Sequence, residues 1–131
     1  MFRTEVTVNF FDCDPAGIMF FGNIFKIAHA AYEEMLKKGN LKRDYFNDSR
    51  FAIPILHSEA DFLKAIMPGE RVEAEVNVSL LKESSFELSY EVLNKKGEVL
   101  ARVKTVHVTV NRQTWEKAPL PGDLKDYLRG I

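Results

Sequence analysis

Near the start of the chain, Val6, Val8 and Phe10 alternate with Glu5, Thr7 and Asn9. A period of two belongs to a strand with one face in a core and the other in water, so the first element is expected to be a strand. The stretch Asp12-Cys13-Asp14-Pro15-Ala16-Gly17 ends it, because proline lacks the N–H of a ladder and glycine admits unusual dihedrals. From Asn23 the period lengthens. Ile24, Ile27, Ala28, Ala31, Met35 and Leu36 recur at helical spacing, while Lys26, Glu33, Glu34 and Lys37 fall largely elsewhere. Asn23 suits an N-cap, Lys37 and Lys38 suit the last turn, and Gly39 supplies a stop.

Residues 40–50 read as a polar connection with room for one short turn of helix. Phe51 to Leu63 begins apolar and extended, with Pro54 pointing to an edge or a strand start. Pro68-Gly69 marks a turn. Val72, Ala74, Val76, Val78 and Leu80 then alternate with Glu73, Glu75, Asn77 and Ser79, and Phe86, Leu88, Tyr90 and Val92 alternate likewise before an Asn94–Gly97 turn. Val99 to Asn111 is the last long strand, and the tail with Pro119, Pro121 and Gly122 is expected to be loop with a final short helix. A strand, a long helix and then four strands joined by short turns predict an α+β fold. It would be a five-stranded antiparallel sheet wrapped around one long central helix. Such a sheet leaves edges to be covered.

Composition narrows the possibilities. At 131 residues and 46% apolar, the chain is expected to be one domain, residues 1–131, with material for a packed core. Eighteen basic residues nearly balance nineteen acidic ones, for a net charge of −1, so no basic field favours nucleic acid or a membrane surface. One cysteine excludes an internal disulfide and a multi-cysteine zinc site. No apolar run approaches the roughly 18 residues that span a bilayer, and the first ten residues are unlike a signal peptide. The expectation is a cytoplasmic domain without membrane insertion.

Asp14 falls at the joint between a strand and a helix N-terminus, where the first N–H groups lack intrahelical partners. An acid there can cap the helix or close a turn. It can also act on a carbonyl whose oxygen is held by those N–H groups. Asp12 and Asp14 would share a face if the strand persists, which would raise one carboxyl's pKa. A metal site would want further ligands at close spacing, and none is present. Cys13 points away from its acidic neighbours and is expected to pack. His29 and Tyr32 share a helix face, where packing with satisfied polar tips is the simpler role. His107 is read as structural, and Lys64, Lys82, Arg102, Lys104 and Arg112 are open as partners for phosphates.

The segment Asp12-Cys13-Asp14-Pro15-Ala16-Gly17-Ile18, followed by two large residues and Asn23, closely resembles the active-site segment of the 4-hydroxybenzoyl-CoA thioesterase family of hotdog enzymes. Phe51–Phe62 and Lys117-Ala118-Pro119-Leu120-Pro121 resemble the 1,4-dihydroxy-2-naphthoyl-CoA hydrolase branch, as do His29, Tyr32, Glu33 and Thr105–Val108. The resemblance implies a hotdog acyl-CoA thioesterase acting on an aryl-CoA, with 1,4-dihydroxy-2-naphthoyl-CoA first, in menaquinone or phylloquinone synthesis. The alternatives are a 4-hydroxybenzoyl-CoA or short-chain acyl-CoA thioesterase and a non-catalytic acyl-CoA-binding module. Phe21, where short-acyl relatives carry histidine and the 4-hydroxybenzoyl branch tyrosine, resembles the naphthoyl branch. The resemblance makes Asp14 the catalytic carboxylate, with the backbone N–H groups of Phe21 and Gly22 as oxyanion donors. Gly17, Phe20, Asn23 and His57 would contact substrate. It implies no metal and no cofactor, coenzyme A being part of the substrate, and a homodimer or homotetramer with sites between subunits.

Overall fold

The computed structural model describes Met1–Ile131. Its elements run β1 (Phe2–Thr7), α1 (Asn23–Lys38), β2 (Phe51–Ala52), β3 (Ile55–Phe62), β4 (Arg71–Leu81), β5 (Ser85–Leu93), β6 (Val99–Val108), β7 (Val110–Asn111) and α2 (Gly122–Arg129). A five-stranded sheet has the order β1-β4-β5-β6-β3 with every pairing antiparallel, and β2 and β7 form a separate ribbon.

The alternation read in β4 and β5 is visible in the burial. Val72, Ala74, Val76, Leu88, Tyr90 and Val92 are buried while Glu73, Glu75 and Glu91 are not. On the far face charged side chains pair across strands, Arg3 with Glu73 and Glu75, Arg102 with Glu91, and Lys104 with Glu87. Helix α1 lays Ile24, Ile27, Ala28, Ala31, Tyr32, Met35 and Leu36 against the apolar face, touching β1, β4 and β6. Ala28 and Ala31 meet a sheet that offers Ala74 and Ala101, and small residues on both sides let helix and sheet approach closely.

Several strand expectations change. The first strand stops at Thr7, and Phe10 lies in a 3-10 turn (Phe10–Asp12) with 84% of its surface exposed. A β-bulge between Val78 and Leu80 shifts the register of β4 on β5 and leaves Leu80 exposed, since one extra residue sends the following side chain to the other face. And β3 pairs with β6 rather than with its sequence neighbour β4. After β3, the Leu63 and Lys64 N–H groups donate to the Leu100 carbonyl at the β6 edge. The chain then crosses the sheet end to a Met67–Glu70 turn bonded to Val8, beside β1. The 63–70 link is therefore a crossover, and β4 enters next to β1.

The chain carries a second helix at its end. Leu124 and Leu128 of α2 are buried, and the Tyr127 O–H donates to the Met35 carbonyl at 2.5 Å. The stop of α1 differs from the expected one. Gly39 keeps helical dihedrals and Asn40 takes φ 49°. Gly39 is instead required by packing, because a Cβ there would stand 2.7 Å from the Tyr127 ring. Deep in the core His107 stacks on Phe86 with ring centroids 4.7 Å apart, and its Nε2 lies 2.7 Å from Thr105 Oγ1. Burial, and secondarily the nearby His29, lowers its pKa to about 3, so the ring is neutral.

Candidate active site

The acid-proline-glycine stretch folds into a miniature hairpin. Cys13 pairs with Met19, the Asp14 N–H donates to the Ile18 carbonyl at 3.0 Å, and the Gly17 N–H donates to the Asp14 carbonyl at 2.9 Å. Gly17 has φ +82°, the left-handed region that a side chain would strain. Asp14 is half-buried at the base of this turn. Its Oδ1 accepts the Ala16 N–H at 2.9 Å, while Oδ2 has no partner in the chain. The turn reading thus holds for one oxygen, and the helix-capping reading does not, since no side chain caps α1.

Asp12 has a different task. It is 7% exposed, and its carboxylate accepts the Asn9 N–H at 2.9 Å and pairs with Lys26 Nζ at 2.7 Å. Its carbonyl accepts the Phe20 N–H at 2.9 Å and the Asn23 side-chain amide at 2.8 Å. The Lys26 ammonium, helped by the Asn9 amide against burial, holds the Asp12 carboxyl below the usual range. The expectation that pairing would raise one carboxyl therefore fails for Asp12. Its neighbour in charge is a lysine from the helix, not Asp14.

At the start of α1 the first residue is Asn23 and the N-cap is Gly22, with φ −63° and ψ −24°. Asn23 is therefore not the cap; its side chain ties the helix to Asp12. A leading turn brings the Asn23, Ile24 and Phe25 N–H groups to the carbonyls of Phe20, Phe21 and Gly22 at 2.9, 3.2 and 3.3 Å. That turn shifts the bare donors one step earlier. The amides of Phe21 and Gly22 donate to no group in the chain. A Cβ at Gly22 would stand 3.0 Å from the Phe20 ring, so glycine lets that ring lie over the backbone. Unpaired N–H groups at the positive end of a helix form an anion site.

Asp14, Gly17, Phe20, Phe21, Gly22 and Asn23 thus belong to one turn-helix junction. Beside it lies an apolar groove of about 300 Å³ between Ile18, Met19 and Phe21 on one side and Phe62, Leu63 and Ile66 on the other. His57 is not part of it. It stands exposed on β3, 3.2 Å from Glu59, on the strand face whose neighbours Glu59 and Asp61 pair in register with Lys104 and Arg102. Burial, then Asp12 and Asp14, push the Cys13 thiol up, which disfavours its thiolate form. Of the cations considered for phosphates, Lys64, Arg102 and Lys104 pair with glutamates and Arg112 holds backbone carbonyls.

Further along α1 a recess of about 280 Å³ opens between His29, Tyr32, Tyr45, Phe46 and Ile55. The His29 and Tyr32 rings lie 5.6 Å apart, and Phe46 is 6.1 Å from one and 5.5 Å from the other. Sequence reading missed the pairing of Asp12 with Lys26, and the residues Tyr45 and Phe46. Only the last two left a trace, as an aromatic pair inside an otherwise polar run.

The family model of the thioesterase-like superfamily matches residues 8–128. The chain is 33% identical over 126 residues to a 1,4-dihydroxy-2-naphthoyl-CoA hydrolase of Rippkaea orientalis, covering 94% of this chain and 91% of that protein. It is 36% identical over 128 residues to the protein of that name from Gloeothece citriformis, covering 95% and 90%. Its backbone superposes on the crystal structure of a 1,4-dihydroxy-2-naphthoyl-CoA thioesterase from Synechocystis with TM-score 0.92 at 28% identity, covering 99% of this chain and 96% of that one.

Proposed function

Since the chain belongs to the thioesterase-like superfamily, we propose that it hydrolyses the thioester of an aryl-CoA, 1,4-dihydroxy-2-naphthoyl-CoA. The product acid would serve menaquinone or phylloquinone synthesis. The observation that carries the reading is the pair of unpaired amides at Phe21 and Gly22, in the same junction as a half-buried carboxylate with one free oxygen, Asp14. The thioester carbonyl oxygen sits on the two amides. Asp14 attacks the carbonyl carbon to give a mixed anhydride, or takes a proton from a water that attacks. The C–S bond breaks as the tetrahedral oxyanion collapses, and the coenzyme A thiolate leaves. On the first route water then cleaves the anhydride, releasing the acid and the Asp14 carboxylate, and on the second Asp14 passes its proton to the departing thiolate. A preorganised donor is worth about 10²–10³ in kcat, and the positioned acid or base about 10²–10⁴. The reaction draws on no resident cofactor or metal.

The apolar groove beside Phe21 suits the pantetheine arm. The recess at His29 suits a hydroxylated ring, because aromatic walls there carry imidazole and phenol tips. Residues 22 and 29 stand on nearly the same line of the helix, about 10 Å apart. A bicyclic acyl group on the amides at the helix start can therefore run along this face. The exposed edge strand β3 supports a homodimer or homotetramer that completes the groove.

The test follows thiol release from naphthoyl-, benzoyl- and butyryl-CoA with the native chain and with Asp14→Asn. We expect naphthoyl preference and a loss of about 10²-fold or more in kcat for the variant. Unchanged turnover in Asp14→Asn removes Asp14 from the mechanism, and binding without turnover by the native chain supports an acyl-CoA-binding module instead.

A further inference from the structure

The 40–51 connection contains no helix and no strand until Phe51, yet it supplies Tyr45 and Phe46, one whole wall of the recess. Two residues from distant parts of the chain hold it. Asp123, in the first turn of α2, takes the Tyr45 O–H on Oδ1 at 2.6 Å and the Lys42 N–H on Oδ2 at 3.0 Å. Arg112 donates from Nε to the Asp48 carbonyl at 2.6 Å and from Nη2 to the Phe51 carbonyl at 3.2 Å. Between these fastenings Phe46 reaches the rings of His29 and Tyr32.

The Asp123 clasp has features that simple filling of space does not need. Both carboxylate oxygens are used, on two residues three apart, so the clasp fixes the orientation of the 42–45 turn and not merely its distance. Tyr45 is 4% exposed, so a phenylalanine would bury as well and lack only the tether. Burial opposes ionisation of Asp123, but the Tyr45 hydroxyl and the Lys42 amide outweigh it and hold the carboxyl low, so the acceptor is charged. Charge-assisted hydrogen bonds are short and directional. The carboxylate is itself anchored through Leu124, Leu128 and Tyr127, which seat α2 on the core and on the end of α1. The helix that carries His29 and the wall that faces it are thus referenced to one another through α2.

We propose that Asp123 is a positioning residue that sets the width of the acyl recess through Tyr45, so that the C-terminal helix determines which acyl groups the enzyme prefers. The inference rests on the assignment of the ring to the His29 recess. Without the tether, the 42–46 turn samples several positions and the ring loses one rigid wall, a loss a small acyl group does not feel.

The experiment measures kcat and KM for 1-hydroxy-2-naphthoyl-CoA and acetyl-CoA in the native chain, Asp123→Asn, Tyr45→Phe and the double variant. The kcat/KM ratio of naphthoyl to acetyl should fall about tenfold in each single variant, through KM for the naphthoyl substrate. The double variant should fall by less than the product of the two single losses, because both changes weaken the one Tyr45–Asp123 bond and only the Lys42 bond is disturbed separately. A role confined to stability lowers the melting temperature and leaves the ratio alone, and that result overturns the proposal, as do additive losses. Calorimetric binding of 1-hydroxy-2-naphthoate is measured alongside. If the native chain hydrolyses no thioester, the hydrolytic reading falls, while a Kd raised about tenfold in Asp123→Asn still carries the clasp. Equal Kd in the two chains, or no binding to either, overturns it.

Discussion

Asp12 and Asp14 stand two residues apart in the chain and face different partners. Asp12 is spent on structure. One carboxylate and one carbonyl together hold the turn before the hairpin, the residue after it and the first turn of α1. Asp14 keeps an oxygen free. Replacing Asp12 by Asn should lower unfolding stability at pH 7 by about 1–2 kcal/mol, the range for a hydrogen-bonded charge whose partner Lys26 is largely solvated. Its folded pKa lies below the unfolded one. The contribution is therefore complete above about pH 4 and is lost as pH falls through the folded value. Urea midpoints of the two chains should accordingly draw together on acidification below about pH 4, and a gap that does not narrow at all as the pH falls would contradict this account. The division of labour was illegible in the residue pattern itself, where both acids look alike and only the family resemblance singles out Asp14. What separates them is Lys26, fourteen positions away, and no local pattern announces a pairing between a turn and the second turn of a helix. The turn was legible, because proline and glycine constrain backbone directly, but its closure into a hairpin through Cys13 and Met19 was not.

Helices and strands that bury one regular face wrote themselves into the chain. The period of α1 placed it to within a residue of the observed Asn23–Lys38, and the alternation of β4 and β5 placed their wet faces, because in each case packing selects residues at the element's own repeat. Element ends were less readable. Gly39 reads as a stop, whereas the structure needs it for the ring of Tyr127, a residue of another helix. Gly39→Ala should therefore destabilise by about 1–3 kcal/mol through overpacking, although alanine favours helix. In a Tyr127→Ala background the same change should be close to neutral by thermal unfolding. Equal penalties in both backgrounds would mean that the backbone, and not the ring, demands glycine.

For the molecule as a whole, strand order was the part that sequence could not supply. Turn signals suggested neighbours in succession, but a crossover of 63–70 is written in hydrogen bonds to Leu100 and Val8, contacts that only the folded sheet creates. One result is that β3 lies at an edge with both faces open, Leu56 and Phe62 being 67% and 47% exposed. A single chain is 15.0 kDa, and light scattering at micromolar concentration should return at least twice that mass. Leu56→Lys should shift the equilibrium toward the single chain, since a lysine on an edge strand blocks pairing. A native protein that scatters as one chain would remove the shared groove from the functional reading.

The bare amides at Phe21 and Gly22 carry a further consequence. Donors that welcome an oxyanion welcome a carboxylate as well, and the acid released by hydrolysis carries one. Left to those amides alone, the product would linger and slow each cycle. On the proposed chemistry Asp14 recovers its negative charge only when the anhydride is hydrolysed or its proton has passed to the thiolate, which is also when the product acid is complete. The group that opens the thioester then repels what it has made, and turnover ends with expulsion rather than inhibition.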